Sequence, residues 1–398
     1  MTQHYDICII GGGIQGCGIA QAAAAAGYTV ILLERHSLAS ATSSRSSKLI
    51  HGGLRYLESG QFKLVAHSLA ERELLLKNAP ELVHRVPFYI PVYKHTRRRP
   101  WQIFTGLSLY ALLGGFRAYA CFRKIKFQDY SDLDGIQQRD LQAVYQYWDA
   151  QTDDVQLTRA VMYSAVGLGA ELKCNCHFEK AEFIHDRYQV EFTYEGRQDS
   201  ITSACLVNTS GPWVIQTQSC ITPRVNVPAI ELVQGAHLVL KQPAPKGVYY
   251  VESPSDQRAV FIMPWHGRTL VGTTETVLTG EPAEIKPTEH EVAYLRNIAH
   301  YYFPNSDDTV IESFAGARVL PRIEKSAFKR SRDTIYFTDQ KLPGYLAVVG
   351  GKLTGYRAAS EKALQTILSN LPQRKRKVDT RKIKLSPAPE TFDGQVKP

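Results

Sequence analysis

Three glycines near the amino terminus have the spacing of a turn that binds phosphate groups. Gly11, Gly13 and Gly16 form the pattern G-x-G-x-x-G. Because glycine has no side chain, the backbone N–H groups of such a turn can approach a pyrophosphate closely. A helix that begins at the turn adds N–H donors and the positive end of its dipole. The pattern therefore indicates a dinucleotide site, provided that a strand precedes it and a helix follows.

Both elements are predicted where such a site requires them. The apolar run 5–10 predicts a buried parallel strand, and the alanine-rich residues 19–26 predict a helix. A second apolar run, 28–33, ends at Glu34, whose carboxylate can accept hydrogen bonds from both ribose hydroxyls. This acid disfavours a 2′-phosphate, so the nucleotide is FAD or NAD. The absence of a second turn of this type favours FAD, held permanently, with electrons passed to oxygen, a quinone or a carrier protein.

A polar segment follows this nucleotide-binding unit. Residues 42–58 contain four serines, two arginines, a lysine, a histidine and two glycines. In doubly wound flavoproteins the chain crosses the cofactor after the second strand, so hydroxyl and N–H groups here are placed to contact a pyrophosphate or a flavin. A solvated serine-rich loop is the alternative that composition alone leaves open.

Several motifs, in chain order, resemble those of one enzyme family. The chain is similar to FAD-dependent glycerol-3-phosphate dehydrogenases and oxidases through SSRSSKLIHGGLRYLE (43–58), NTSGPW (208–213), QGAHLVL (234–240), MPWHGRTLVGTTE (263–275), GAR (316–318) and GGKLTGYR (350–357). The sequence departs from the usual family residues at Ala236, Glu275, Val319 and Gly355. It also resembles a short form, because family members generally continue into a C-terminal helical domain.

The resemblance implies a reaction and a set of residues for it. The family oxidises the C2 hydroxyl of sn-glycerol 3-phosphate to dihydroxyacetone phosphate: a base takes the hydroxyl proton, and a hydride passes to flavin N5. A phosphate dianion in a partly dry cavity needs several cationic donors, and arginine suits bidentate binding. Whether His51 or His237 is the base stays open, and Arg332 has a charged surface loop as its alternative. The catalytic candidates are His51, Arg55, His237, Arg318 and Lys352, and the substrate-binding candidates are Arg55, Tyr56, His237, Arg318, Arg332 and Lys352.

The glycine turn and the family motifs together assign a larger set of residues to the cofactor. These are Gly11, Gly13, Ile14, Gly16, Glu34, Arg35, Thr42, Ser43, Ser44, Lys48, Leu49, His51, Ser210, Gly211, Trp213, Gly351, Lys352, Leu353 and Thr354. No metal is expected.

The order of the predicted elements indicates an α/β fold. We expect a Rossmann-type, glutathione-reductase-like, doubly wound FAD-binding domain and a substrate domain built on an antiparallel sheet. The FAD-binding domain is expected to be discontinuous, with residues 1–90, 150–222 and 320–372. The substrate domain would then comprise 91–149 and 223–319, and 373–398 would form a basic tail with a disordered end.

The net charge of +9 is concentrated in two stretches. Eight basic and no acidic residues lie between Lys94 and Lys126, and seven basic residues with one acid lie between Arg374 and Lys384. The first stretch surrounds the uncharged run 101–116, which is shorter than the ~20 residues that cross a bilayer. This run is either a buried helix of the substrate domain or an interfacial helix on anionic lipid.

The family resemblance supports the interfacial helix. It implies a peripheral enzyme on the cytoplasmic face of the inner membrane that delivers electrons to quinone. Residues 374–384 lack aromatic residues, which argues against nucleic acid as a partner. A solvated tail or a second lipid contact is expected there. A homodimer is compatible with the sequence.

Two alternatives remain beside a quinone-reducing dehydrogenase. One is an oxygen-reducing oxidase of the same fold that acts on glycerol 3-phosphate, an amine or an amino acid. The other is a non-catalytic flavin-binding protein.

Overall fold

Two β-sheets with helices on their faces make up the computed structural model, which describes residues 3–115, 121–225, 229–322 and 333–392. The first sheet contains β1 (Gln3–Ile10), β2 (Val30–Leu33), β7 (Glu171–Lys173), β8 (Cys176–Ile184), β9 (Arg187–Tyr194), β10 (Arg197–Asn208), β11 (Ile221–Thr222), β18 (Ile335–Asp339) and β19 (Leu342–Val349). The second contains β3 (Leu49–Ile50), β4 (Val83–Tyr93), β5 (Arg123–Lys124), β6 (Leu141–Thr152), β12 (Ile230–Pro243), β13 (Val248–Glu252), β14 (Ala259–Trp265), β15 (Arg268–Gly272), β16 (Thr276–Val277) and β17 (Val310–Pro321). The helices are α1 (Ile14–Ala26), α2 (Phe62–Asn78), α3 (Pro100–Leu113), α4 (Asp154–Gly167), α5 (Val214–Ser219), α6 (Glu289–Tyr302) and α7 (Tyr356–Ile367).

The first sheet has the parallel centre that the sequence predicts. Strand β1 pairs in parallel with β2 and β10, β2 pairs with β7, and β10 pairs with β19. Helices α1, α4 and α7 cover one face through a single apolar cluster. The alanines of α1 are small enough for α4 and α7 to pack closely against it. The carboxyl end of β1 is thereby fixed at the first turn of α1, which is the Rossmann arrangement.

The second sheet is largely antiparallel, with one parallel pair between β4 and β13. Helix α6 packs on one of its faces through Leu295, Ile298 and Tyr302. Helices α2 and α3 pack on another apolar cluster of the same sheet. The fold class expected from the sequence is confirmed.

Three expected domain boundaries, at residues 90, 150 and 320, fall inside the strands β4, β6 and β17 of the second sheet. Strand β4 (Val83–Tyr93) lies wholly in the second sheet, where it pairs with β6 along its length. The expected boundary at residue 90 therefore cuts through this strand. The sequence of residues 83–90 predicts a strand but does not show which of the two sheets it joins.

The basic segment after residue 372 is packed on the first sheet's helices as far as residue 392. The Lys377 N–H donates to the Ala25 carbonyl at 2.8 Å, and Arg374 pairs with Asp6 at 3.1 Å. Leu385 is buried, and its N–H donates to the Asn78 carbonyl at 2.8 Å. The expectation of a solvated tail is therefore wrong for this part, since the helices supply it with apolar and hydrogen-bonding partners.

Candidate active site

A cavity of about 830 Å³ is lined by residues of both sheets. From the first sheet and its connections come the glycine turn, the polar segment after β2, and the turns that follow β10 and β19. From the second sheet come Gly235, Tyr250, Phe261 and Arg318. The site thus lies at the carboxyl ends of the parallel strands, where open α/β sheets bind ligands.

The glycine turn brings the start of helix α1, at Gly16, close to the end of β1, at Gly11. A Cβ atom on Gly16 would lie 1.9 Å from the Gly11 carbonyl oxygen and 2.7 Å from Thr209 Oγ1. Gly16 does not line the cavity, so it acts by permitting this close approach. Helix α1 begins immediately after Gly13, and the Ile14 N–H donates to Ser43 Oγ at 2.9 Å. The N-terminus of α1 therefore faces the cavity as an anion-binding end.

Glu34 is fixed at the cavity wall by two backbone groups. Its carboxylate accepts hydrogen bonds from the Gly12 N–H at 2.6 Å and the His36 N–H at 2.8 Å. Each carboxylate oxygen has a further acceptor position, so both ribose hydroxyls can still be bound. Arg35 lies 5.3 Å from the ring centroid of Trp213, and both residues line the cavity.

Most of the residues assigned to the cofactor line this cavity. They are Gly11, Gly13, Ile14, Glu34, Arg35, Thr42, Ser43, Leu49, His51, Ser210, Gly211, Trp213, Gly351, Lys352, Leu353 and Thr354. Gly16, Ser44 and Lys48 do not line it. The Ser44 hydroxyl donates instead to the Ala41 carbonyl at 2.9 Å.

Lys48 points away from the cavity into a buried ion pair. Its Nζ donates to Asp154 Oδ1 and to the Ser44 carbonyl, both at 2.6 Å. Asp154 also accepts from the backbone and the hydroxyl of Ser46. Burial raises the pKa of Asp154, although Lys48 opposes the shift. A buried carboxylate needs such a counter-ion, and Lys48 therefore holds the polar segment in place. The structure does not bring Lys48 to the cavity with the other residues assigned to the cofactor.

His237 is buried behind the cavity wall. Its Nε2 lies 3.0 Å from Ser47 Oγ, and its ring stacks on Phe314. Nδ1 has no hydrogen-bond partner among the described residues. Burial lowers the pKa of His237 to about 3, and the charges of Arg318 and Lys48 add to this effect.

His237 therefore stays neutral near pH 7, and its hydrogen bond with Ser47 links it to the cavity that Ser47 lines. The structure does not bring the His237 side chain to the cavity wall with the other substrate-side candidates, because that side chain is buried within the second sheet.

The other substrate-side candidates lie at the cavity, except Arg332, which falls outside the described residues. His51, Arg55, Tyr56, Arg318 and Lys352 all line it. Lys352 Nζ lies 4.0 Å from the centroid of the Tyr56 ring, and Arg55 lies over the same ring at 5.6 Å. Arg318 Nη1 is 3.2 Å from a carboxylate oxygen of Glu275. Three cationic side chains thus line the cavity, and two of them, Arg55 and Lys352, lie beside the same ring.

Comparison with known proteins defines the family. The model of FAD-dependent oxidoreductases named DAO matches residues 6–357. The chain belongs to this family. It is 35% identical over 381 residues to a glycerol-3-phosphate dehydrogenase of Pseudomonas aeruginosa, covering 93% of this chain and 73% of that protein.

Two further relatives agree with this result. The aerobic glycerol-3-phosphate dehydrogenase of Escherichia coli is 35% identical over 374 residues, which cover 91% of this chain and 73% of that protein. The structure of the glycerol-3-phosphate dehydrogenase from Bacillus halodurans, complexed with FAD, is 26% identical with a TM-score of 0.75. That match covers 96% of this chain and 68% of the other. The similarity to FAD-dependent glycerol-3-phosphate dehydrogenases that the motifs indicate is confirmed.

FAD is the cofactor of this family member, and the site fits it. The glycine turn, Glu34 and the polar segment all line one cavity. The close approach of Gly16 to Gly11 leaves no space for a side chain within the turn. The N-terminus of α1 suits the pyrophosphate, Glu34 suits the ribose, and the turn 350–354 provides backbone groups at the other end.

Sequence reasoning did not select several cavity residues. Arg45, Ser46 and Ser47 line the cavity. They lie within the polar segment, so the motif that placed this segment at the cofactor also indicated these residues. Tyr250 and Arg258 also line it, from the β13–β14 hairpin, where neither residue type nor spacing distinguishes them from an ordinary strand pair.

Proposed function

We propose that this FAD-dependent oxidoreductase oxidises sn-glycerol 3-phosphate at C2 to dihydroxyacetone phosphate and passes the electrons to a quinone. The observation that carries the proposal is that Arg55, Arg318 and Lys352 all line the FAD cavity. Three cations around one cavity suit a phosphate dianion, because each charge-assisted hydrogen bond contributes about 1.5–3 kcal/mol. Two relatives that are 35% identical over more than nine-tenths of this chain are named for the same substrate.

Different side chains of the protein bind the phosphate and remove the hydroxyl proton. Arg55, Arg318 and Lys352 hold the phosphate, while the ring of Tyr56 packs against Lys352 and limits its movement. FAD, when bound, accepts the two electrons lost from the C2 carbon. We assign proton removal to His51, which lines the cavity, in preference to His237, whose pKa of about 3 makes it a weak base. The His51 backbone N–H donates to Thr354 Oγ1 at 3.2 Å, which fixes the histidine beside the turn that carries Lys352.

Anaerobic reduction of the bound flavin tests the proposal. We expect glycerol 3-phosphate to bleach the FAD absorbance of the wild-type protein in the absence of oxygen, and His51→Asn to slow that bleaching by roughly 10²-fold or more. Glycerol without phosphate is the control, because it lacks the group that the cations bind. Rapid reoxidation by a quinone analogue and slow reoxidation by oxygen are expected. Fast reoxidation by oxygen would identify an oxidase, and failure to bleach would contradict the proposal.

We also propose that α3 (Pro100–Leu113) places the protein on an anionic lipid surface. One side of this helix packs on the second sheet, whereas Trp101 is 68% exposed and Phe104 and Leu112 are each 54% exposed. Exposed basic residues flank that face: Arg97, Arg99, Arg123, Lys124 and Lys126. No helix within the described ranges has the length and hydropathy to cross a membrane. An apolar face bordered by cations suits a peripheral contact, with its aromatic residues at the headgroup level.

Flotation with lipid vesicles tests this contact. We expect the protein to float with vesicles that contain anionic lipid and to be lost from them at high salt. Replacing both Trp101 and Phe104 by alanine should abolish flotation, because it removes the largest exposed apolar side chains of α3. Tyr163→Ala is the matched control, since Tyr163 is a partly exposed aromatic residue on α4. Equal flotation of the double variant and wild type would contradict the proposal.

A further inference from the structure

Helix α3 is attached to the loop that carries two substrate-side candidates. This substrate loop comprises residues 51–58, including the short 3₁₀ helix Leu54–Leu57 with Arg55 and Tyr56. One attachment lies near the carboxyl end of α3, at Tyr110. The other lies just before its amino end, at Arg98. The two attachment points reach the loop on either side of Arg55 and Tyr56.

The first attachment is a hydrogen bond from the loop backbone to a buried hydroxyl. The Gly52 N–H donates to the Tyr110 hydroxyl oxygen at 2.8 Å. That hydroxyl donates its own proton to Asp149 Oδ2 at 2.7 Å, so its oxygen is left as an acceptor for Gly52. Asp149 is itself buried and paired with Arg72 of α2. Burial, together with Asp149, raises the pKa of Tyr110 well above its usual range, so the hydroxyl keeps its proton.

The loop backbone is also pressed directly against Tyr110. A Cβ atom on Gly52 would lie 2.4 Å from the Tyr110 hydroxyl and 2.6 Å from a methyl group of Leu69. Any larger residue at position 52 would push the loop away from both helices. The position of His51 and Gly52 therefore depends on the position of the Tyr110 hydroxyl.

The second attachment is a pair of charged contacts at the other end of the loop. Arg98 holds the Glu58 carboxylate through Nε and Nη2 and binds Glu252 of β13 through Nη1. The Arg97 N–H donates to the second oxygen of Glu252 at 2.8 Å. Burial alone would raise the pKa of Glu58, but the hydrogen bonds from Arg98 and the charges of Arg98, Arg97 and Arg55 together lower that pKa. The guanidinium of Arg98 is thus bound to Glu58 of the loop and to Glu252, and Arg98 is not among the cations that face solvent.

We propose that Tyr110 and Arg98 are positioning residues for substrate binding, which hold the substrate loop so that Arg55 and Tyr56 meet the phosphate. The inference rests on the proposed function, because it takes the loop as part of the phosphate site. Neither residue lines the cavity, so both act through the loop. The helix proposed to contact lipid and the loop proposed to bind substrate then form one packed unit.

Steady-state kinetics of Tyr110→Phe and Arg98→Gln test the inference. We expect each variant to raise KM for glycerol 3-phosphate by roughly five- to thirtyfold, with FAD content unchanged. The kcat value should change less than about twofold in Arg98→Gln and fall further in Tyr110→Phe, because Gly52 directly follows the proposed base His51. The controls lose similar interactions elsewhere. Tyr93→Phe removes a buried hydroxyl that donates to the Gln137 carbonyl at 2.6 Å, and Arg296→Gln breaks the pair with Asp308. An unchanged KM in both test variants, or the same rise in the controls, would overturn the inference.

Hydrogen–deuterium exchange of the loop gives a second result that needs no substrate. Loss of the acceptor for the Gly52 N–H should speed exchange in peptides covering 51–58 in Tyr110→Phe, and not in Tyr93→Phe. Unchanged exchange there would also overturn the inference. If Tyr110→Phe fails to fold, Arg98→Gln decides the same question, because Arg98 lies near the surface. A wild-type protein that glycerol 3-phosphate cannot reduce would overturn the proposed function, while the exchange result would still decide whether the loop is held.

Discussion

Replacement of Gly16 by alanine is expected to give a folded protein that has lost most of its FAD. The added Cβ would lie 1.9 Å from the Gly11 carbonyl oxygen, and no rotation of a side chain can relieve that contact. The turn must open, which moves the backbone N–H groups at the start of α1 away from the pyrophosphate position. Because these groups together bind one dianionic unit, we expect the FAD content after purification to fall roughly tenfold or more.

The ratio of flavin to protein absorbance measures this effect, and circular dichroism reports whether the fold is kept. Gly106→Ala is the matched control, since Gly106 lies in helix α3 and a Cβ there has no atom within 4 Å. Alanine also favours a helix more than glycine does, so the control should be at least as stable as the wild type. A full complement of FAD in Gly16→Ala would show that the turn does not determine cofactor binding.

The nucleotide end of the site was predictable because its signals are local in the sequence. The strand at 5–10, the glycine turn and Glu34 lie within thirty residues, and each is needed by the backbone geometry of a single strand–turn–helix–strand unit. The structure places β1 at Gln3–Ile10 and α1 at Ile14–Ala26, and Glu34 lies at the cavity wall. Helix α2 (Phe62–Asn78) also follows from local sequence, because its apolar residues have the helical period.

The directions of two side chains were not predictable, because distant residues determine them. Lys48 lies within a cofactor motif, yet it turns towards Asp154, which comes more than a hundred residues later and is fully buried. His237 lies in a family motif on a central strand, and the packing of Phe314 from β17 buries its ring. A motif predicts that a segment reaches the site. Which of its side chains faces the ligand depends on the elements packed behind it.

The packing of the basic segment was likewise not predictable from local sequence. Residues 374–384 have the composition of a solvated tail. In the structure, the Ala25 carbonyl at the end of α1 accepts from the backbone N–H groups of Lys377 and Val378. The Lys77 carbonyl of α2 accepts from Lys384 Nζ, and Arg374 neutralises the buried Asp6 carboxylate. Composition reports the charge of a segment, but it does not report where the rest of the chain offers partners for that charge. We therefore base the proposed lipid contact on the exposed cations around α3 and not on the packed segment 374–384.

Replacement of Arg318 by alanine is expected to raise KM for glycerol 3-phosphate by roughly ten- to hundredfold while FAD stays bound. Arg318 lies on β17, and its guanidinium is held by Glu275 at 3.2 Å, so it is oriented before substrate arrives. Loss of a charge-assisted contact to a phosphate costs about 1.5–3 kcal/mol, which corresponds to this range. The substitution leaves the glycine turn and Glu34 untouched, and these are the groups assigned to the nucleotide.

Two further variants separate a phosphate contact from a general loss of positive charge. Arg318→Lys keeps the charge but loses the planar fork, so we expect it to recover only part of the affinity. Arg296→Ala removes an arginine paired with Asp308 at 3.1 Å on the surface and should leave KM unchanged. The decisive comparison uses glycerol 3-phosphate and glycerol as substrates for the wild type and Arg318→Ala. If Arg318 binds the phosphate, the preference of the wild type for the phosphorylated substrate shrinks in the variant. If that preference is the same in both proteins, Arg318 lies outside the phosphate site, and Arg55 and Lys352 must bind the dianion without it.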